Sequence, residues 1–445
     1  MDKRNERETA ALALLEITNG GYNNIVLKRV LDKSPLEPGQ RAFVTEVTNG
    51  ALRNLIYIDY IINKVSSIPT GRMKPLILSV LRTAVYEILF LSGAPDYAVC
   101  SEAVNIVKRA GLSGLSGFVN AVLRNILRKK DSIVFPDKTQ NFNEWLSITY
   151  SCPEWIVSEF IQNFGPQETE AMLKTNNQPP KLTLCVNALK TTTEELTVIL
   201  ENESLKCAPS RVKGAIHASG VSDITKLPSF VNGLFHVMDA SSMLAVKALA
   251  PQKGHKIIDL CAAPGGKSFL AAYLTENTGE ILSLDIHPHK LELIRSGSKR
   301  LGISNLVSEV SDTTEFNEKF AGAFDRVIAD LPCSGFGTIR KKPDIKYTKK
   351  PQNVTELAAL QRSILKNAAR YLKPGGILVY STCTLTKAEN QDNADWLAEC
   401  GLEKCDLSPI AKEYGLPVAE NTITILPHYM DSDGFFFAKF RRVSM

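Results

Sequence analysis

Through the first 130 residues apolar side chains recur every three to four positions, at 10–15, 43–62, 76–91, 98–107 and 118–127. That period places one apolar stripe on each of a series of helices. Gly20-Gly21, Pro38-Gly39, Pro69-Thr70-Gly71 and the glycines between 111 and 117 punctuate the series. The pattern predicts an all-helical bundle over 1–130. The polar run Arg128-Lys129-Lys130-Asp131-Ser132, followed by 136–143, predicts a linker over 131–145. Between 146 and 240 the pattern is mixed: a helix over 155–164, an alternating strand over 181–186, a helix over 192–201, and short strands near 213–218 and 233–238. From 241 to 445 apolar runs of strand length (255–260, 281–286, 324–330, 376–381) alternate with helical stretches (291–301, 354–372). Alternation of this kind predicts a parallel sheet covered by helices on both faces.

Composition narrows the class. The chain has 445 residues, 44% hydrophobic and 22% charged, enough to build large cores. Its opening Met1-Asp2-Lys3-Arg4-Asn5-Glu6-Arg7-Glu8 lacks the apolar core of a secretory signal, and the apolar stretch 75–95 carries Arg82 and Glu87, so no membrane span is expected. The nine cysteines form no CxxC pair and the six histidines no metal-like spacing. A metal site and a disulfide framework are therefore not expected; reduced thiols in the cytoplasm are. Lys and Arg outnumber Asp and Glu by 18 to 11 in residues 1–130, against 34 to 36 in the rest, so the basic excess lies in the helical third.

Ligands of parallel sheets bind beyond the carboxyl ends of the strands. Three chemistry-bearing segments fall at such ends. The first, Asp259-Leu260 followed by Cys261-Ala262-Ala263-Pro264-Gly265-Gly266-Lys267-Ser268, turns from a strand into a helix, where small residues admit a ligand and free N–H groups face it. It is neither a P-loop, because Cys261 stands where glycine is needed, nor a dinucleotide GxGxxG. Asp285, at the next strand end, is placed to hold ribose hydroxyls, so a nucleoside-like cofactor without a pyrophosphate is expected. The second is Asp330-Leu331-Pro332-Cys333-Ser334-Gly335, trailed by Arg340-Lys341-Lys342 and Lys346, whose cations either offer phosphate contacts or form a solvated loop. The third is Ser381-Thr382-Cys383. Two cysteines in polar loops beside an acid make nucleophilic chemistry the favoured reading, although an unperturbed thiol is only a few per cent ionised at neutral pH.

These motifs, with Lys342-Pro343-Asp344-Ile345-Lys346, Glu389-Asn390 and Asp433-Gly434-Phe435-Phe436, occur in an order that resembles the RNA cytosine-5 methyltransferases of the Nol1/Nop2/Sun group. Gln40-Arg41-Ala42-Phe43, Gly50 with Arg53, Ser101-Glu102-Ala103-Val104 and the run Phe118-Val119-Asn120-Ala121-Val122-Leu123-Arg124 resemble a NusB-like RNA-binding domain. The combination is similar to bacterial 16S rRNA methyltransferases of that group.

The resemblance implies a NusB-like bundle, a small RRM-like α/β unit and a Rossmann-like class I methyltransferase domain. It implies S-adenosylmethionine against 261–267, with Asp285 on its ribose, Asp312 near its adenine, and Asp330 bordering the methyl group and the target base. Cys383 would add to cytosine carbon 6, Cys333 would assist proton removal and enzyme release, and a protonated Asp330, its pKa raised by burial, would stabilise charge at base nitrogen 3. Arg41, Arg53 and Arg124 would contact 16S rRNA, and a monomer is expected. Two other classes fit less well. A nucleotide-dependent oxidoreductase lacks its glycine fingerprint here. A non-catalytic RNA-binding assembly factor would be expected to have lost one of the two cysteines.

Overall fold

The structure, a computed structural model, describes residues 4–93, 95–220 and 223–443. The chain divides into two compact units. One runs to Gln178 and also takes in Lys341–Thr348; the other comprises Pro179–Arg340 and the chain from Lys349 onward.

The first unit is helical, as the period requires. Its helices are Glu6–Thr18, Asn23–Lys33, Pro38–Arg53, Leu55–Val65, Pro75–Phe90, Asp96–Arg109, Ser116–Lys129, Phe142–Thr149 and Glu154–Asn176. The apolar stretch 43–62 is two helices, because at Asn54 both the backbone N–H and the side-chain amide turn back onto the Gly50 carbonyl and end the first. Leu14, Val44, Ile58, Ile62, Val85, Leu123 and Ile126 form a closed core. The segment 341–348, with its short helix Ile345–Thr348, completes this unit. Lys346 Nζ, almost fully buried, donates to the carbonyls of Arg53 (2.9 Å) and Ser151 (2.6 Å). Asp344 accepts from the Asn23 backbone N–H at 3.3 Å, at the start of a helix where a negative charge is favoured.

The second unit holds two sheets. Strands β1 (Leu182–Val186), β2 (Lys206–Pro209), β3 (Ala215–Ser219) and β4 (Phe235–Val237) form a small antiparallel sheet in the order β2-β3-β1-β4, with the helix Thr193–Asn202 on its core. The second sheet contains β5 (Lys256–Asp259), β6 (Glu280–Asp285), β7 (Leu306–Val310), β8 (Phe324–Asp330), β9 (Leu372–Thr382), β10 (Leu402–Lys404), β11 (Thr422–Ile425) and β12 (Phe435–Arg442). Its order is β10-β12-β9-β8-β5-β6-β7, with β11 paired to β12. The pairs among β5 to β9 are parallel, and β12 runs antiparallel to β9. Helices such as Gly266–Leu274, Pro288–Leu301 and Pro351–Tyr371 cover it. The parallel register sets Asp330 beside Ser381 and brings the ends of β5, β6, β8 and β9 to one rim. No helix among the described residues is long and apolar enough to cross a membrane.

Candidate active site

The turn after β5 is held from below. Leu260 N–H donates to the Ile328 carbonyl (3.0 Å), Ala262 N–H to Leu284 (2.8 Å), and Gly265 N–H closes the turn onto Ala262 (2.7 Å). Gly265 has φ +110°, and a Cβ there would lie 2.4 Å from the Phe269 ring, so only glycine fits. Gly266, the first residue of the helix, meets nothing closer than 3.8 Å at its own Cβ position. Beneath the turn Asp259 accepts from Ser268 Oγ at 2.7 Å, and burial pushes its carboxyl up to about 7. Burial likewise pushes Cys261 up to about 12, which keeps that sulfur a thiol.

Asp285, at the end of β6, is nearly buried and accepts from the His287 backbone N–H at 2.9 Å, with Lys290 Nζ 4.0 Å away. Asp312, after β7, is exposed; the Thr314 hydroxyl (2.6 Å) and backbone N–H (2.9 Å) hold its carboxyl below the usual range.

At the ends of β8 and β9, Cys333 Sγ and Cys383 Sγ lie 3.3 Å apart. Asp330 accepts from Ser381 Oγ at 2.7 Å and from Lys267 Nζ at 2.6 Å. The Asp330 carboxylate is thus neutralised by a lysine from the β5 turn, and its side chain is 31% exposed. The apolar burial expected for it is not what the fold provides. The surroundings of Cys333 favour its protonated form. Its hydrogen bond with Cys383 pushes its pKa well above the ordinary value, and burial and the Glu389 and Asp330 carboxylates push the same way.

Both cysteine loops are pinned by groups that follow them. Glu389, fully buried, accepts the Ser334 N–H at 2.8 Å and the Gln361 amide at 3.1 Å on Oε1, and the hydroxyls of Ser334 (2.5 Å) and Thr386 (2.8 Å) on Oε2. Ser334 Oγ also meets Thr384 Oγ1 at 2.6 Å. Gly337 N–H donates to the Cys383 carbonyl (2.9 Å), and Gly434 N–H to the Gly337 carbonyl (2.8 Å). A Cβ on Gly337 would sit 1.9 Å from the Gly434 oxygen, so the two glycines let these loops cross at close range. Sequence reasoning assigned no role to Ser334, Glu389 or the Lys267–Asp330 pair. The only signal was the position of Glu389-Asn390 shortly after Cys383.

The expected RNA contacts divide. Arg124 is exposed on the helix Ser116–Lys129, and Lys341 and Lys342 are exposed. Arg41 is half-buried, donating to the Leu31 carbonyl and facing Asp32 at 3.6 Å. Arg53, Arg340 and Lys346 are corrections. Arg53 is buried in the bundle, and Arg340 is spent on the Pro179 carbonyl (2.7 Å) and Asp431 (2.5 Å). Lys346 is spent on the two carbonyls described above, and burial lowers its ammonium to about 8. A cation already enclosed by protein acceptors does not present itself to a phosphate.

Residues 246–441 match the family described as 16S rRNA methyltransferase RsmB/F, residues 4–128 the NusB family, and residues 152–224 the RsmF/B-like ferredoxin-like domain. The chain is 37% identical to the probable ribosomal RNA small subunit methyltransferase B of Bacillus subtilis (strain 168), over 99% of this chain and 100% of that one. It is 30% identical to ribosomal RNA small subunit methyltransferase B of Serratia proteamaculans (strain 568), over 98% of each. The crystal structure of PH0851 superposes with a TM-score of 0.81 at 25% identity, over 99% of this chain and 100% of that one.

Proposed function

The chain belongs to the RsmB/F family of small-subunit ribosomal RNA methyltransferases, and from that membership we propose that it methylates carbon 5 of a cytosine in 16S rRNA, using S-adenosylmethionine and a covalent bond to Cys383. The observation that carries the reading is the pair of thiols 3.3 Å apart at the ends of β8 and β9, beside the Asp330–Lys267 pair. The enzyme would work in the cytoplasm as a monomer, without a metal, with the basic helical unit contributing RNA affinity.

The rim fits a nucleoside sulfonium donor. The turn 261–267 leads into a helix whose first N–H groups suit a carboxylate, Asp285 suits a ribose diol, and Asp312 lies one strand further along for the adenine. Bound there, S-adenosylmethionine supplies an electrophilic methyl group. The remaining chemistry belongs to the protein and the base. Carbon 5 of cytosine is a weak nucleophile until the Cys383 thiolate adds to carbon 6 and makes the ring enamine-like. The Lys267 ammonium, held at this rim by Asp330, is the positive group that offsets negative charge growing at base nitrogen 3. Carbon 5 then carries both the new methyl group and its original proton. That proton must leave, and the carbon 6–sulfur bond must break with its electron pair returning to Cys383.

The environment of Cys333 suits it to this last step. The largest influence holding it protonated is its hydrogen bond with Cys383. Once Cys383 is bonded to carbon that influence is gone. Cys333 then releases its own proton to solvent, and the resulting thiolate takes the proton from carbon 5. The target must be unpaired or flipped out for Cys383 to reach it.

Cys383→Ala should abolish turnover and leave no protein–RNA adduct, while retaining affinity for S-adenosylhomocysteine in calorimetry. Cys333→Ala should accumulate a donor-dependent adduct on denaturing gels, and the double variant none. An adduct formed by Cys383→Ala but not by Cys333→Ala would reverse the assignment.

A further inference from the structure

We propose that Glu389 is a positioning residue of this site: it clamps the Cys333 and Cys383 loops to one another, and so sets the spacing on which the covalent step depends. The inference rests on the reading of the two thiols given above and adds a residue to it that touches neither base nor donor.

The geometry is that of a single buried acceptor shared by both loops. Oε1 takes the backbone N–H of Ser334, the residue directly after Cys333, at 2.8 Å, and Oε2 takes the hydroxyl of Ser334 at 2.5 Å. The same Oε2 takes the hydroxyl of Thr386, three residues after Cys383, at 2.8 Å. Ser334 Oγ closes the triangle by meeting Thr384 Oγ1, directly after Cys383, at 2.6 Å. Gln361, on the helix Pro351–Tyr371, ties the carboxylate to the fold at 3.1 Å and also donates to the Pro332 carbonyl at 2.9 Å, on the other side of Cys333. The Glu389 carbonyl accepts from the Tyr380 hydroxyl, on β9 before Cys383.

A carboxylate buried with four donors is costly to disturb, because each donor left unpaired keeps its full desolvation cost. Neutral side chains of similar size offer fewer acceptor sites. The clamp also has an electrostatic side. The charged and titratable groups that face Cys333 are Cys383, Glu389, Asp330 and Tyr380, and the two carboxylates both disfavour a second negative charge at that sulfur. Glu389 thus holds Cys333 in place and disfavours its ionisation.

The test uses the full-length chain with Glu389→Gln. Turnover should fall about 10- to 100-fold with little change in KM for RNA, as expected when reacting groups are misplaced rather than removed. Affinity for S-adenosylhomocysteine should stay close to that of the wild type, since the donor turn is braced by other residues. The decisive readout is iodoacetamide alkylation of Cys333, followed by mass spectrometry across pH in the absence of RNA and donor. Loss of the Glu389 charge should move its midpoint to lower pH. If Glu389→Gln does not fold, Ser334→Ala keeps the carboxylate and removes the bridge to Thr384; it should lower turnover in the same way without the downward shift in alkylation midpoint. Wild-type turnover and an unshifted Cys333 profile in Glu389→Gln, or wild-type turnover in Ser334→Ala, would overturn the proposal. Because alkylation needs neither substrate, it judges the clamp separately from the reaction. A wild-type enzyme that forms no adduct and no 5-methylcytosine would instead sink the function assigned above.

Discussion

Gly265 and Gly266 are neighbours of one residue type, yet the fold treats them differently. Only Gly265 has a positive φ and a ring packed against its Cα. Gly265→Ala should destabilise the protein by roughly 1–3 kcal/mol, from backbone strain and the Phe269 clash, read as a lowered melting temperature without ligand. Gly266→Ala should melt like the wild type, since a Cβ there meets only the His236 and Met238 side chains, at ordinary contact distances of 3.8–3.9 Å. Equal melting of both variants would remove the distinction. The same scale shows what sequence can and cannot say about a site. Cys261, Cys333 and Cys383 all stand at strand ends and look alike in the sequence. What separates them is partnership: Cys261 faces the Thr313 hydroxyl, whereas the other two face each other across a separation of 50 residues. The Lys267–Asp330 pair spans 63 residues, and no local pattern announces it.

Among elements, those with a strong period or a continuous apolar run were legible. Strands β5, β6, β8 and β9 are buried between two layers of helices and read as unbroken apolar segments. Strand β7 lies at the edge of the sheet and is half exposed, and β10 has three residues, so neither carries enough pattern to be seen. The least legible element is the segment 341–348. Its lysines read as a solvated, phosphate-facing tail, but the carbonyls that bury Lys346 come from residues 293 and 195 positions away. Lys346→Met should therefore destabilise the helical unit by about 2–4 kcal/mol, because two buried carbonyls lose their donor. The effect should depend on pH. Burial lowers this ammonium from 10.5 to about 8, so the folded protein gives up the proton before the unfolded chain does. The contribution of this group to stability then rises as pH increases through that window, and Lys346→Met should lack the rise in denaturant unfolding followed across it. A variant with wild-type stability and an unchanged pH slope would show that the anchor carries no energy.

At the scale of the molecule, the basic excess of residues 1–130 is a statement about association with a polyanion, not about chemistry. Of the cations expected to contact RNA, Arg124, Lys341 and Lys342 are the exposed ones. Arg124→Ala, Lys341→Ala and Lys342→Ala together should weaken rRNA binding and flatten its dependence on salt, by about 0.7–0.9 in the log–log slope for each phosphate no longer neutralised. An unchanged slope would exclude these three from the RNA interface. Donor affinity should not change. The order of the chain adds a further consequence. The helical unit is encoded first, but it is not complete until the segment 341–348 arrives, after β5 to β8 of the large sheet have been made. On the ribosome, then, this unit cannot reach its final state by the usual schedule in which the amino-terminal domain finishes before the next begins. Until that stretch leaves the exit tunnel, the Arg53 and Ser151 carbonyls lack the Lys346 donor. Stalled nascent chains should show protease resistance of the helical unit rising a second time once residue 348 has emerged. Birth order and order of completion are uncoupled in this protein: the unit begun first waits on eight of its own residues, which are made only after most of the other unit.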